Sequence, residues 1–168
     1  VRLAEWALNL NVSFEGESIF LGGENVAQSI REEEVGNMAS KIAVCAQLRA
    51  ALLDRQRHFA EGTGLVADGR DMGSVVFPNA PLKVFLTASA EVRAERRYKQ
   101  LIAKGFSANM DNLVKDLSDR DARDMAREHA PLKPAQGAYV LDSSDLTLEQ
   151  TVDVVLKLYA EQVNLPVV

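Results

Sequence analysis

Short apolar runs of β type alternate with longer helical segments through most of this chain, and that alternation constrains the fold more than any other feature. The runs occupy residues 65–67, 82–86 and 138–141. Two helical stretches, residues 91–104 and 110–128, separate the second run from the third. A last helix is predicted over residues 146–163, with Asp145 or Thr147 as its cap. Strands that alternate with helices predict an α/β fold with a parallel sheet.

The first sixty residues follow a different pattern. Residues 11–22, NVSFEGESIFLG, alternate apolar and polar side chains on either side of the stretch from Glu15 to Ser18, which predicts a small antiparallel hairpin. Apolar residues then recur at helical spacing from Arg31 to Ala46. Another helix is predicted over residues 47–60. The chain is therefore expected to begin with a β element that two helices follow.

Charge and composition exclude several classes of protein. The formal net charge is −5 and the isoelectric point is near 5.1, which argues against a surface that binds nucleic acid. No apolar run reaches the roughly 20 residues that a membrane span needs, so no membrane partner is expected. The single cysteine, Cys45, cannot form an internal disulfide, which favours a reducing, cytoplasmic location.

The segment LVADGRDMGSVVFP, residues 65–78, carries charge directly after a predicted strand. Ligands of open α/β sheets bind beyond the carboxyl ends of the strands, so Asp68, Arg70 and Asp71 are candidate site residues. Gly69 and Gly73 would allow backbone conformations that other residues resist. The alternative is an ordinary charged turn whose side chains pair with one another.

Arginine is concentrated in two predicted helices. Arg120, Asp124 and Arg127 are spaced four and three residues apart in the stretch SDRDARDMAREHAPL, along one face of a helix. A solvated face of surface ion pairs would look similar. Arginine, however, is the side chain whose planar fork suits phosphate and carboxylate. With Arg123 and a third cluster, Arg93, Arg96 and Arg97, these residues suggest a polyanionic small ligand such as a nucleotide.

Three segments together resemble the bacterial cytidylate kinases: GLVADGRDMGSVVFPNAPLKVFLTAS, ERRYKQL with KGFS, and DRDARDMAREHAPLKPA with YVLDSSDLTLEQ. The resemblance implies transfer of the ATP γ-phosphate to CMP or dCMP, which gives CDP or dCDP. It also implies a P-loop-type, three-layer α/β fold with helices on both faces of a parallel sheet. Residues 2–41 match the family's CMP-binding insert, which is partly antiparallel β. Residues 42–168 match the rest of the kinase core, with a lid segment at about 93–127.

The resemblance also implies roles for individual residues. Cytosine contacts fall on Ser40, Arg49 and Asp71, and sugar contacts fall on Arg120 and Asp124. Arg70 and Arg127 would bind the acceptor phosphate, with Arg127 also near the transferred group, and Gly69 would lie against the substrate. Arg96 and Arg97 belong to the segment that resembles the lid over ATP. Mg²⁺ would arrive with ATP, where Asp68 would act through water, and the protein itself is expected to hold no metal.

The chain departs from the family pattern in one respect. Cytidylate kinases begin with a strand and the phosphate loop G-x-x-x-x-G-K-[ST], and no Gly-Lys-Ser/Thr occurs in these 168 residues. We therefore expect a longer parent protein, active as a monomer, whose first strand lies between the strands at Leu65 and Val84. The chain as written is expected to be inactive alone. The alternative is a non-catalytic nucleotide-binding or partner-binding remnant of a kinase.

Overall fold

The computed structural model describes residues 2–62, 64–103, 105 and 107–163. The chain divides into two compact units. The first comprises Val1–Ala67 together with Arg127–His129, and the second comprises Asp68–Ala126 together with Ala130–Val168. Each unit has its own sheet, antiparallel in the first and parallel in the second.

A three-stranded antiparallel sheet lies in the first unit. Strand β1 (Val12–Glu15) pairs with β2 (Ser18–Leu21), and β2 pairs with β3 (Glu24–Asn25). The turn between β1 and β2 has only two residues, and Gly16 takes a positive φ of 57° there, a conformation that glycine adopts without strain. The predicted hairpin is confirmed, and the short third strand extends it.

Three α-helices accompany this sheet: α1 (Arg2–Leu8), α2 (Glu33–Ile42) and α3 (Ala46–His58). The helices α2 and α3 confirm the two predicted ones, whereas α1 was not predicted. Helix α1 packs against α3. The guanidinium of Arg55 on α3 donates hydrogen bonds to the carbonyl of Leu8, the last residue of α1, and to that of Leu10. The rings of Phe14 and Phe59 meet edge to face, with centroids 5.4 Å apart.

The second unit contains two parallel strands and three α-helices. Strand β4 (Val84–Thr87) pairs in parallel with β5 (Tyr139–Asp142), so that Val84 is opposite Tyr139 and Thr87 is opposite Asp142. Parallel strands need a long crossover, and α4 (Ala90–Ala103) and α5 (Met110–Met125) supply it. Helix α6 (Leu148–Gln162) follows β5. The expected combination of helices with a parallel sheet is confirmed.

The helix ends follow the capping chemistry of the sequence. The side chain of Asn109 accepts a hydrogen bond from the backbone N–H of Asn112 at the start of α5. At α6, Thr147 and Gln150 form a reciprocal capping box, so Thr147 is the cap rather than Asp145. Helix α5 ends at Met125, three residues before the predicted end. Lys104, the predicted last residue of α4, lies outside the described residues.

The prediction of a strand at residues 65–67 is wrong. Residues 64–68 have no regular secondary structure, and Val66 is fully exposed. An apolar run becomes a strand only when a neighbouring backbone pairs with it, and no described strand lies beside this one. The charged residues that follow lie in an irregular segment that ends at Asp71, directly before a π-helical turn, Met72–Val76.

Helices α4 and α5 pack against each other and bury apolar side chains between them. Ala94 of α4 is completely buried and Leu113 of α5 is 6% exposed. The apolar face of α6 is different, because Leu148 is 80% exposed and Leu156 is also exposed. No helix in the described parts of the chain is long and apolar enough to cross a membrane.

Replacement of Leu113 by alanine should destabilise the protein, because it removes buried methyl groups and leaves a cavity between α4 and α5. We expect a loss of about 2–4 kcal/mol in the free energy of unfolding, measured by urea denaturation with far-UV circular dichroism. The control is Leu148→Ala on α6, which should change that free energy by less than about 0.5 kcal/mol because the side chain is exposed. Equal effects of the two substitutions would contradict this account of the packing.

Candidate active site

Five charged side chains of the second unit meet in one group, which we call the arginine–aspartate cluster: Arg70, Arg93, Arg120, Asp121 and Asp124. At its centre the guanidinium of Arg70 contacts two carboxylates. Its Nε lies 3.2 Å from Oδ2 of Asp124, and its Nη1 lies 3.3 Å from Oδ1 of Asp121. Three guanidinium groups thus face two carboxylates, which leaves one positive charge in excess.

Helix α5 provides three of these side chains because of its periodicity. Asp124 lies four residues after Arg120 and three after Asp121, so its side chain is a neighbour of both on the helix surface. Nε of Arg120 lies 4.0 Å from Oδ2 of Asp124. The backbone carbonyl of Asp124 accepts a hydrogen bond from the N–H of Leu132, where the chain returns after the helix. Asp124 is therefore held through both its side chain and its backbone.

Burial makes Asp124 the most constrained member of the cluster. Its side chain is 0% exposed, whereas that of Arg70 keeps 32% of its surface exposed. An ionised carboxylate removed from water is costly unless cations and hydrogen bonds compensate it. Arg70 and Arg120 supply that compensation, and both remain partly exposed. The carboxylate itself is closed to solvent.

The segment before the π-helical turn places Asp71 and Gly69. Asp71 is buried, and its carbonyl accepts hydrogen bonds from the N–H of Val75 and, at 3.4 Å, from the hydroxyl of Ser74. The predicted conformational role of Gly69 and Gly73 is wrong, since neither has a positive φ. Both are sites of close approach instead. A Cβ on Gly69 would lie 3.0 Å from Met72, and one on Gly73 would lie 3.2 Å from Lys83.

The remaining candidates for nucleotide contacts have varied surroundings. Ser40 is buried on the last turns of α2, and Arg49 is half-buried on α3 with its Nη1 3.5 Å from the carbonyl of Ala43. The prediction that Arg127 shares a helix face with Arg120 and Asp124 is wrong, because α5 ends at Met125 and Arg127 is buried two residues beyond it. Asp68 is exposed beside the second unit's first turn. Ser40, Arg49 and Arg127 belong to the first unit, and Arg70, Asp71, Arg120 and Asp124 belong to the second.

The two arginines assigned to the lid segment differ in their surroundings. Arg96 donates hydrogen bonds to the hydroxyl and the carbonyl of Ser143 and to the carbonyl of Leu146, all in the loop between β5 and α6. Arg97 is half-buried on the same helix. The Arg96 guanidinium therefore joins α4 to the β5–α6 loop.

Asp121 is the residue of the cluster that the sequence analysis missed, and Arg93 is the one that it placed in another group. Asp121 directly follows Arg120 and precedes Asp124 by three residues, a spacing that puts it on the same face of α5. That spacing was available as a signal. The contact of Arg93 with Asp121 could not be predicted from spacing, because it joins two helices and the sequence does not specify the geometry of the connection between them.

Asp142, the last residue of β5, has a carboxyl group with a shifted pKa. The hydroxyl and the backbone N–H of Ser144 both donate hydrogen bonds to Oδ1 of Asp142, at 2.6 and 2.9 Å, and hold the pKa of that carboxyl below its usual value. Because the folded-state pKa is lowered, these bonds stabilise the loop above the ordinary pKa of aspartate. That stabilisation is lost as the pH falls through the lowered value.

Ser144→Ala should raise the pKa of Asp142 toward that of an ordinary aspartate, because it removes the hydroxyl that contributes most to the shift. Carboxyl carbon chemical shifts, followed by NMR from pH 2 to 6, measure this directly. Ser118→Ala, at an exposed serine of α5, is the control and should leave the titration of Asp142 unchanged. An unaltered pKa in Ser144→Ala would contradict the assigned cause.

Known proteins with sequences similar to this chain are cytidylate kinases. The family profile described as cytidylate kinase matches residues 1–161. A cytidylate kinase of Bordetella pertussis is 58% identical over 154 residues, which cover 92% of this chain and 69% of the relative. Cytidylate kinases of Burkholderia pseudomallei and Ralstonia pickettii are 59% and 58% identical over 159 residues, or 95% of this chain and 70% and 69% of theirs. The chain belongs to the cytidylate kinase family.

Proposed function

We propose that this protein transfers the γ-phosphate of ATP to CMP or dCMP and releases ADP with CDP or dCDP. The observation that carries the proposal is the arginine–aspartate cluster, in which Arg70 is held between two carboxylates and the cluster as a whole has one excess positive charge. The relatives named above are cytidylate kinases, which supports a cytosine nucleotide as the acceptor. The proposal includes the three-layer architecture that the family resemblance implies.

Arg70 is the proposed phosphate ligand of the second unit. Guanidinium groups bind phosphate through two parallel hydrogen bonds, and the exposed third of the Arg70 side chain is accessible to such a group. Its contacts with Asp121 and Asp124 fix its orientation before the nucleotide arrives. A fixed donor loses less conformational entropy on binding than a mobile one, so the pairing favours affinity. Arg127 is proposed as the first unit's phosphate ligand.

The proposed chemistry needs cations more than it needs a base. An oxygen of the acceptor phosphate attacks the γ-phosphorus, and the bond from that phosphorus to the β,γ-bridging oxygen breaks. Negative charge on the transferring oxygens and on the leaving ADP is stabilised by positioned cations. We assign this role to Arg70 and Arg127, and we assign Arg96 and Arg97 to the ATP side. Mg²⁺ would be brought by ATP and would neutralise phosphate charge. Asp68 would act on it through a water molecule.

The sugar contacts are proposed for Arg120 and Asp124. Asp124 is closed to solvent, so its carboxylate reaches a ribose hydroxyl only after a covering side chain moves. Arg120 is 4.0 Å away and partly exposed, and we propose that it turns toward the nucleotide and uncovers Asp124. The carboxylate would then accept hydrogen bonds from the sugar without losing its contact with Arg70.

Recognition of the base is assigned to Asp71, Ser40 and Arg49. Cytosine has an amino group where uracil has a carbonyl, and a carboxylate accepts a hydrogen bond from the first but repels the second. Asp71 is buried, and burial strengthens both effects because water cannot screen them. The hydroxyl of Ser40 and the guanidinium of Arg49 would add hydrogen bonds to the ring. Each of these assignments can be tested by its own variant.

Arg70→Ala should lower kcat/KM for CMP by about 10²-fold, because it removes a cation that stabilises the phosphate in the transition state. Formation of ADP by the intact protein, with CMP varied at saturating ATP and Mg²⁺, provides the measurement. The control is Arg2→Ala, at an exposed arginine outside the cluster that stacks on Trp6, and it should leave kcat/KM unchanged. Intact protein that binds CMP but forms no ADP would favour the non-catalytic alternative.

Asp71→Asn should reduce the preference for CMP over UMP, because the amide can donate a hydrogen bond to the uracil carbonyl that a carboxylate repels. We expect the ratio of the two kcat/KM values to fall by about tenfold or more. Ser40→Ala should lower the same ratio less, since it removes one neutral hydrogen bond. The exposed Ser13→Ala of β1 is the matched control. A ratio unaffected by both Asp71→Asn and Ser40→Ala would contradict the assignment of base recognition.

A further inference from the structure

Asp121 connects two arginines that come from distant parts of the second unit. Its Oδ2 lies 2.6 Å from Nη2 of Arg93, and its Oδ1 lies 3.3 Å from Nη1 of Arg70. Each carboxylate oxygen therefore holds a different guanidinium. The side chain of Asp121 is 16% exposed, so this bridge is largely shielded from water. Ion pairs that are shielded in this way are weakened less by salt and solvent than pairs on an open surface.

Arg93 is itself fixed at a second point. Its Nε donates a 3.1 Å hydrogen bond to the carbonyl of Ala88, which lies in the connection between β4 and α4. With Nη2 on Asp121 and Nε on this carbonyl, the plane of the Arg93 guanidinium is set by the end of a strand and by another helix. Arg93 is thus a rigid anchor for Asp121, and Asp121 in turn contacts Arg70.

We propose that Asp121 is a positioning residue, and that it and Arg93 orient Arg70 for the acceptor phosphate. This inference rests on the proposed function, in which Arg70 binds that phosphate. The carboxylate of Asp121 also separates two guanidinium groups that would otherwise repel each other across the same space. Asp124 fixes Arg70 at Nε and Asp121 fixes it at Nη1, so the two carboxylates together define the plane of the guanidinium.

Substrate affinity distinguishes positioning from two other roles of Asp121. If it orients Arg70, its loss weakens binding of CMP but not of cytidine, which has no phosphate. If it serves only the structure of the protein, its loss weakens binding of both. If it competes with phosphate for Arg70, its loss strengthens binding of CMP, because the local charge becomes more positive. The three roles therefore predict three different results.

The test is Asp121→Asn in the intact protein, with the affinities for CMP and for cytidine measured by isothermal titration calorimetry. We expect the affinity for CMP to fall about tenfold and that for cytidine to change less than about twofold. Asp121→Glu, which keeps the charge, should recover part of the loss. The control Asp116→Asn, at an exposed aspartate of the same helix, should alter neither affinity. Unchanged or tighter CMP binding by Asp121→Asn, or an equal loss for cytidine, would overturn the proposal.

Two further variants make the result independent of folding and of the proposed function. Arg93→Ala removes the partner of Asp121 on α4 and should also weaken binding of CMP but not of cytidine. If Asp121→Asn fails to fold, Arg93→Ala still tests the proposal. In a protein that already has Arg70→Ala, Asp121→Asn should have no further effect on the affinity for CMP, because Asp121 then has no phosphate ligand to orient. If Arg70→Ala itself lowers the affinity for CMP no more than that for cytidine, the proposed function fails. If Arg70→Ala lowers the affinity for CMP more than that for cytidine, but neither Asp121→Asn nor Arg93→Ala does, only the positioning role fails.

Discussion

The buried carboxylate of Asp124 is the constraint on which the second unit's site depends. A carboxylate with no exposed surface loses several kcal/mol of hydration, which only close cations and hydrogen bonds can offset. Arg70 at 3.2 Å and Arg120 at 4.0 Å provide that compensation. Because Arg70 follows the apolar run at residue 65 and Asp124 lies on α5, this pair joins two segments more than fifty residues apart. The same contact thus stabilises the fold and builds the site.

Stability and ligand binding are closely linked in such an arrangement. Three arginines near one another repel, and Asp121 and Asp124 reduce that repulsion while they leave one positive charge in excess. The carboxylates also hold the guanidinium planes of Arg70 and Arg93 in fixed directions, so a ligand does not have to order these two side chains. A cluster of arginines without these carboxylates would be more positive but less ordered. The proposed selectivity for a phosphate-bearing nucleotide follows from that order.

Most of the regular structure was predictable because it follows from short-range patterns. The periodicity of α2, α5 and α6 and the two-residue turn at Gly16 depend on residues within one or two turns of each other. The cap of α6 was narrowed to Asp145 or Thr147 in the same way, and the structure shows that it is Thr147. The strand that was predicted at residues 65–67 is absent for the opposite reason, because a strand depends on a long-range pairing. That run has the composition of a strand, but a strand exists only through hydrogen bonds to a neighbour, and composition contains no information about the neighbour.

For the site, the sequence by itself determined that Arg120 and Asp124 lie on one face of a helix, because α-helical geometry places residues four apart together. Arg127, which was predicted on the same face, lies beyond the end of α5 at Met125. Resemblance to a known family identified Arg70 and Asp71 as well. Only the tertiary structure decided which carboxylate each arginine contacts: Arg93 reaches Asp121, whereas Arg96, three residues later, reaches the backbone of Ser143 and Leu146. Arg93 and Arg96 are about one turn of α4 apart, yet their contacts lie on different elements. Which of them a side chain reaches depends on the elements packed beside the helix, and sequence spacing does not specify those neighbours.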